Sequence, residues 1–301
     1  MSAGGVQSHR DSACVLRIVR AVTSPLSPYA ALASAVTLGV ADFTGGRAER
    51  RASAPSVAVS IELVGLVAAP LALLLLPRGW DVQAAVLAFA GGGIGGLGLI
   101  AFYRAMSLHL IGVVAPITGF VAAALPVAVG LIGGDHLSIW QLVGIAGGLV
   151  ALVLTTATRG GASPAAAGSG VLLALGAGVA FGLFFILFHA ASHAGFTAFV
   201  SGRLGSATAS TIAAIASGTP IFVRRPAWRL VAFGGVIDGT GVTLYLFATH
   251  SGLLSVTAVI TSFYPAFTVL CARFLTHERL TGLQALGAVM AIVAIALIAV
   301  T

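Results

Sequence analysis

Residues 83–107 read QAAVLAFAGGGIGGLGLIAFYRAMS, an apolar run in which Arg104 is the one charged residue. A helix rises about 1.5 Å per residue, so a run of this length crosses the hydrocarbon core of a bilayer, which is about 30 Å thick. Backbone groups in lipid must be satisfied within the segment, which favours a helix. Further apolar runs share this pattern, at 28–46, 55–76, 111–133, 139–157, 168–190, 197–218, 228–250, 254–275 and 281–300. The sequence therefore predicts an all-α integral membrane protein with ten transmembrane helices.

The composition excludes a water-soluble fold. Hydrophobic residues make up 58% of the 301 positions and charged residues 8%, whereas a soluble domain carries roughly 25% charged residues. The net charge is +7, and every basic residue is an Arg in a chain without Lys. These Arg residues are scattered through short loops and the N-terminal tail, without a dense basic patch, so nucleic-acid binding is not expected. Cys14 and Cys271 are not expected to pair.

The chain repeats itself at an offset of 143 residues. Residues 87–98 and 230–241 are identical at six of twelve positions, and residues 105–122 and 248–265 at seven of eighteen. One offset without gaps runs from the first span to the tenth, which predicts two five-helix repeats at 28–157 and 168–301. Residues 158–167 form the predicted linker, and residues 1–27 a flexible N-terminal tail.

An odd number of spans per repeat predicts that the second repeat enters the membrane with the opposite orientation. Inverted repeats are typical of transporters, which bind substrate at the repeat interface and expose it alternately to each side. Glycine pairs four residues apart predict that helix backbones approach closely. The pairs are Gly91/Gly95, Gly92/Gly96 and Gly235/Gly239.

The loops before the fifth and tenth spans also repeat. Ser138 with Gln141, and Thr281 with Gln284, each predict a capping box that opens a helix. Asp135 and Glu278 precede these boxes. We interpret them as favourable charges at a helix start rather than as substrate contacts.

Ionisable residues inside spans are costly and are functional candidates by default. None has a counterpart of its own kind at the repeat offset, so the repeated scaffold does not require them: they are Asp42, Glu62, Arg104, Arg203, Asp238 and Arg273. Asp238 is the strongest candidate for substrate binding or proton coupling because it lies about ten residues into its span. The alternative is a structural ion pair with Arg104 or Arg203.

The other charged residues lie closer to the ends of their spans, so they are weaker candidates for the substrate site. Glu62 is a site candidate a third of the way into its span, and Arg104 either holds an anionic group or extends to the membrane surface. Arg203 and Arg273 are expected at the interface, and Asp42 is expected within reach of water near the end of the first span.

Prolines and nearby polar residues add candidates for a cavity. Pro116 opens the fourth span, Pro126 lies further along it, and Pro265 interrupts the ninth. A proline in a span frees carbonyl groups that can line a cavity. The alternative is simple bending and packing. The predicted substrate-binding set is Asp238, Tyr103, Arg104, Thr118, Thr261, Tyr264, Tyr245 and Glu62. No catalytic set, metal site or cofactor is predicted, since the His189/His193 pair alone is a weak signal.

Several motifs resemble the EamA group of the drug/metabolite transporter superfamily. The first half carries Tyr103-Arg-Ala-Met and Ala115-Pro-Ile, and the second Ser262-Phe-Tyr-Pro-Ala-Phe-Thr-Val, Glu278-Arg-Leu and Gln284. The first span, with Gly39-Val-Ala-Asp-Phe-Thr-Gly-Gly, is similar to actinobacterial members. The resemblance covers residues 28–300. It implies two inverted five-helix repeats, a central cavity, and secondary transport of a small metabolite by exchange or proton coupling.

The resemblance also implies a bacterial cell membrane with both termini in the cytoplasm. The Arg count disagrees, with eight on the side after odd-numbered spans and four on the other, which would place the termini outside. The expected partners are the lipid bilayer and a small-molecule metabolite. We expect a monomer, with a dimer as the alternative. Two other function classes are a membrane-embedded lipid-modifying enzyme and a non-transporting receptor or subunit.

Overall fold

The computed structural model describes residues 24–107, 111–156 and 164–276, and residues 282–283, 286–287, 289–290, 293–294 and 297 near the C-terminus. Over these residues the chain is helical and contains no strand. The helices are α1 (Ser27–Glu49), α2 (Ala54–Gly65), α3 (Ala69–Leu75), α4 (Val82–Ser107), α5 (Ile111–Ile132), α6 (Ile139–Thr156), α7 (Pro164–Ala191), α8 (Phe196–Ala216), α9 (Trp228–His250), α10 (Leu254–Thr261) and α11 (Tyr264–Thr276).

The helices follow the predicted apolar runs, and the chain is a multi-pass membrane protein. Four described helical stretches are long and apolar enough to cross a bilayer, at Ala54–Leu75, Val82–Met106, Gly170–Ala194 and Trp228–His250. Shorter apolar helices cover Ile117–Ile132, Ile139–Leu154 and Leu254–Thr268. The tenth predicted span, with Thr281 and Gln284, lies largely outside the described residues, so the number of ten spans stays a prediction.

Two of the predicted spans are interrupted. A 3-10 turn at Leu66–Ala68 separates α2 from α3, and Pro70 lies in the first turn of α3, where its missing N–H is tolerated. The break before Pro265 is confirmed, because α10 ends at Thr261 and α11 begins at Tyr264. By contrast, α5 runs without a break through Pro116 and Pro126.

Two helix boundaries differ from the predicted ones. The first helix continues to Glu49, three residues beyond the predicted end at 46. The seventh helix begins at Pro164, inside the stretch predicted as a linker. Proline is favoured in the first turn of a helix, and the three alanines that follow are strong helix formers, so this segment extends the helix rather than ending it.

The helices form two spatial groups, and each group draws on both halves of the chain. In the first group, α9 packs against α1 and against α2 and α3, and α11 packs against α1. In the second group, α4 packs against α7 and α8, and α5 packs against α7. At the repeat offset, every one of these contacts has its counterpart in the other group. We call them the α9 group and the α4 group.

Glycines bring the helices of each group into close contact, as the small-residue spacing predicts. A Cβ atom on Gly92 of α4 would overlap the carbonyl oxygen of Gly202 in α8, and one on Gly205 would overlap the carbonyl oxygen of Phe89. In the other group, Gly239 meets the carbonyl oxygen of Gly65 in the same way. These backbones touch without a side chain between them.

Loop contacts join the two groups at two places. The carbonyl oxygen of Pro77 accepts a hydrogen bond from the backbone N–H of Phe196 at 3.0 Å, and that of Gly79 accepts one from Thr197 Oγ1 at 2.7 Å. At the repeat offset from Pro77 stands Pro220, whose carbonyl oxygen accepts from the hydroxyl of Ser56. We call these contacts the Pro77 tie and the Pro220 tie.

An ion pair reinforces the Pro77 tie. His193 Nε2 lies 2.8 Å from Asp81 Oδ2, and the hydrogen bond from His193 lowers the pKa of the Asp81 carboxyl below its ordinary value. Both side chains are exposed, so the pair is screened and contributes little to stability.

The capping box at the start of α6 is confirmed. The backbone N–H of Ser138 donates to Gln141 Oε1 at 2.9 Å, and that of Gln141 donates to Ser138 Oγ at 3.2 Å. Asp135 accepts hydrogen bonds from the backbone N–H and the hydroxyl of Ser255, at 3.0 and 2.7 Å. Its charge therefore faces the start of α10 rather than the start of its own following helix.

The close helix contact predicts the effect of adding one methyl group. We expect Gly92→Ala to lower the free energy of unfolding by about 1–3 kcal/mol or more, because the new Cβ forces α4 and α8 apart. Gly176→Ala in α7 is the control, since a Cβ atom there would have nothing within 4 Å and alanine favours the helix. Thermal unfolding in detergent measures both. Equal midpoints for the two variants would contradict the packing argument.

Candidate substrate cavity

A buried ion cluster lies between the two groups of helices. Arg203 of α8 donates from Nη1 to Glu62 Oε2 of α2 at 2.6 Å and to Asp238 Oδ2 of α9 at 2.5 Å. The side chains of Arg203, Glu62 and Asp238 are 2%, 12% and 16% exposed. Glu62 comes from the first half of the chain and the other two from the second, so the cluster joins the halves.

Local sequence makes room for the guanidinium. A Cβ atom on Gly65 would lie 2.9 Å from Arg203 Nη1, so the absence of a side chain there lets the guanidinium lie against the α2 backbone. The ring of Phe199, one turn before Arg203 on α8, lies with its centroid 5.7 Å from Arg203 Cζ, which adds a favourable cation–π contact.

The cluster borders a cavity between the two groups. Its empty volume is about 640 Å³, including space open to solvent. The lining residues come from seven helices and are Leu38, Asp42, Glu62, Gly92, Gly95, Gly96, Leu99, Phe181, Phe184, Phe185, Phe188, Gly202, Arg203, Ser206, Asp238, Val242 and Tyr264.

Some lining residues occupy equivalent positions in the two repeats, but their side chains differ in chemistry. Four pairs of lining residues are related by the offset of 143: Leu38/Phe181, Asp42/Phe185, Gly95/Asp238 and Leu99/Val242. The α9 group supplies the acids Asp42, Glu62 and Asp238, which we call the acidic side. The α4 group supplies Phe181, Phe184, Phe185 and Phe188, which we call the aromatic side.

Three of the predicted site residues line this cavity, namely Asp238, Glu62 and Tyr264. Tyr264 is 4% exposed, and its hydroxyl has no hydrogen-bond partner among the described residues. Its ring stands edge-on to Phe181, with the two centroids 6.0 Å apart. Asp238 forms an ion pair with Arg203, as the alternative prediction of a structural ion pair stated. The same pair also borders the cavity.

Four other predicted site residues are buried but do not line the cavity. The Tyr245 hydroxyl donates to the carbonyl oxygen of Phe185 at 2.8 Å, and Thr118 Oγ1 donates to that of Ala174 at 3.1 Å, so both tie neighbouring helices to α7. Tyr103 packs against Gly45. Thr261 is fully buried, with no partner for its hydroxyl in the described part of the chain.

The remaining predicted site residue, Arg104, is exposed near the end of α4 and does not line the cavity. The side chain of Arg273, the whole of Glu278, and Cys14 lie outside the described residues. His189 Nδ1 lies 2.6 Å from Thr249 Oγ1, and His193 pairs with Asp81, so the two histidines have separate partners. In the described ranges, no group of three residues could hold a metal ion.

One predicted location is wrong. Arg203 was expected at the interface, but it is 3% exposed and pairs with two acids, so its charge has no need to reach water. Asp42, which was expected within reach of water, is 8% exposed and lines the cavity, whose volume includes space open to solvent. The aromatic side was also missed. Its signal is the run of four phenylalanines in residues 181–188.

Comparison with known proteins agrees with this architecture. Residues 168–300 match the model of the EamA-like transporter family. The match supports membership of the drug/metabolite transporter superfamily.

A solved structure, named "Crystal structure of protein", superposes with a TM-score of 0.68 at 18% sequence identity. The alignment covers 90% of this chain and 94% of that one. The two halves of the chain together therefore adopt a fold that is already known from a solved structure. No curated protein matches the sequence.

The ion cluster predicts an unequal response to charge removal. Arg203→Met leaves Glu62 and Asp238 facing each other without a cation, and we expect it to lower the free energy of unfolding by about 3–5 kcal/mol. Glu62→Gln leaves one acid on the guanidinium and should destabilise less. Combining Arg203→Met with Glu62→Gln and Asp238→Asn should restore most of the loss. Unfolding in detergent measures this, and a triple variant as unstable as Arg203→Met would show that charge is not the cause.

Proposed function

We propose that the protein is a secondary transporter that moves a small metabolite across a bacterial plasma membrane by alternating access at the cavity between the two groups. The observation that carries the proposal is the buried cluster of Glu62, Arg203 and Asp238, which joins both halves of the chain at a cavity. Charged residues buried in membrane-spanning helices mark substrate or ion pathways. Coupling is by exchange or by protons, with Asp238 as the proton-coupling candidate.

Ten spans in two inverted five-helix repeats are part of the proposal, with both termini in the cytoplasm and a monomer as the working unit. The paired helix contacts at the repeat offset support it, since an inverted repeat places equivalent contacts around a two-fold axis. The family supports a transporter over a lipid-modifying enzyme or a receptor, because EamA-like members are generally transporters.

The Pro77 and Pro220 ties support alternating access. Each joins the end of one predicted span to the start of another in the opposite group, and inverted repeats place the two ties on opposite membrane faces. If one tie opens while the other holds, the cavity is exposed to one side at a time.

The first experiment compares metabolites inside cells and in the medium for wild type, Asp238→Asn and an empty vector. Wild type should redistribute one compound class. Asp238→Asn should lose this effect at equal membrane level, because it removes one of the two acids on Arg203 beside the cavity. Glu49→Gln is the control, since it removes a carboxylate that neither lines the cavity nor takes part in either tie. No redistribution by wild type over several growth conditions would contradict transport.

A disulfide across the Pro77 tie tests the movement. A Cβ atom on Gly79 would lie 3.6 Å from the Cα of Ala194, which suits a pair of cysteines. In a background with Cys14 and Cys271 replaced by Ser, we expect oxidation of Gly79→Cys/Ala194→Cys to stop the flux and a reductant to restore it. Each single-cysteine variant is a control. Unchanged flux in the oxidised protein would show that these loops need not separate.

A further inference from the structure

The cavity carries more negative than positive charge. Asp42, Glu62 and Asp238 face one cation, Arg203, which gives a net charge of −2 when all four are ionised. Arg203 pairs with Glu62 and Asp238 through the same nitrogen, Nη1. Asp42 is 8% exposed and has no cation within 4.0 Å among the described residues. Asp42 is therefore the one of these three acids without a cation in contact, and a cationic ligand would reduce the excess of two negative charges.

An anionic ligand does not fit this arrangement. The other two guanidinium nitrogens of Arg203, Nε and Nη2, are buried and lack partners among the described residues. A Cβ atom on Gly65 would lie 3.2 Å from Nη2, so the α2 backbone covers that edge of the guanidinium. An anion that reached the guanidinium would lie beside the carboxylates of Glu62 and Asp238, which like-charge repulsion opposes.

The aromatic side suits the rest of such a ligand. The ring centroids of Phe184 and Phe188 lie 4.1 Å apart and those of Phe184 and Phe185 5.6 Å apart, which forms a continuous apolar surface. Ring faces of this kind hold apolar bodies and attract cations. Tyr264 places a buried hydroxyl without a partner among the described residues in the cavity lining, which offers one hydrogen bond.

We propose that the cavity binds an organic monocation with an aromatic or apolar body, whose charged nitrogen pairs with Asp42 while its body rests on the phenylalanines of the aromatic side. The proposal rests on the transporter function above and names the substrate class for the same cavity. Two independent observations carry it. The carboxylate of Asp42 is 8% exposed and has no cation within 4.0 Å among the described residues. The hydroxyl of Tyr264 is buried and has no hydrogen-bond partner in the described ranges.

Isothermal titration of the purified full chain in detergent tests the charge preference. The probes are phenethylamine, 3-phenylpropionate and 2-phenylethanol, which share a phenyl group and carry a positive, a negative and no charge. We expect phenethylamine to bind and the other two to bind far more weakly. Binding of the anion or the alcohol as tight as that of the amine overturns the proposal, as does the absence of phenethylamine binding at millimolar concentrations.

Variants of the cavity test which residue holds the charge. Asp42→Asn should weaken phenethylamine binding by at least about 30-fold, the fold-change that corresponds to the lower end of losing a buried charge pair. Asp42→Glu and Asp81→Asn should keep binding, because each leaves a carboxylate at the cavity. Tyr264→Phe should weaken binding less than Asp42→Asn. Wild-type affinity in a folded Asp42→Asn protein overturns the proposal, and if that variant does not fold, unchanged affinity in Tyr264→Phe does so.

Binding in detergent is independent of flux, so the two proposals fail separately. Amine binding that depends on Asp42, in a protein that moves nothing across vesicle membranes, would leave the cation site standing and reject transport. Flux of a neutral or anionic metabolite without amine binding would leave transport standing and reject the cation site.

Discussion

The guanidinium of Arg203 is the constraint around which the bundle is arranged. A charge inside an apolar helix bundle is tolerated only when partners satisfy it, and Arg203 finds two carboxylates on helices that come from different halves of the chain. Those partners require α2, α8 and α9 to meet at one point. The glycines of α2 and α9 permit that meeting, because Gly65 and Gly239 bring the two backbones into contact beside the cluster.

The cavity shows how a repeated scaffold acquires a specific site. Four pairs of its lining residues stand at equivalent positions of the two repeats. In two of these pairs an acid in one repeat corresponds to an aromatic residue or a glycine in the other, namely Asp42/Phe185 and Gly95/Asp238. The duplicated positions give the shape, since both repeats build the same helix contacts. The single-copy charges give the chemistry, because symmetric copies would cancel any distinction between the two sides.

The sequence predicts the helices well because long apolar runs leave few alternatives in a bilayer. The break at Pro265 and the capping box of Ser138 were also predictable, since each depends on local chemistry alone. The location of Arg203 was not. The position of a residue along a span predicts its depth in the membrane, but not which neighbouring helix its side chain faces. Arg203 is the seventh residue after the start of α8, and that position does not predict its contacts with acids on α2 and α9. One feature of the sequence did indicate a buried cation. The acids Glu62 and Asp238 have no counterpart at the repeat offset, so they need a cation that also occurs in only one repeat. Arg104, Arg203 and Arg273 all satisfy that condition, so the choice among them required the packing of α8 against α2.

The exchange of helices between the sequence halves decides which parts of the molecule are free to move against each other. The halves cannot separate, because α9 is held within helices of the first half and α4 within helices of the second. The natural division lies between the α9 and α4 groups instead. The contacts that cross it include polar ones, namely the Arg203 cluster and the two loop ties. The acidic side belongs to one group and the aromatic side to the other. A ligand that touches both sides therefore changes the energy of any movement between them, which is the condition a substrate must meet to be carried.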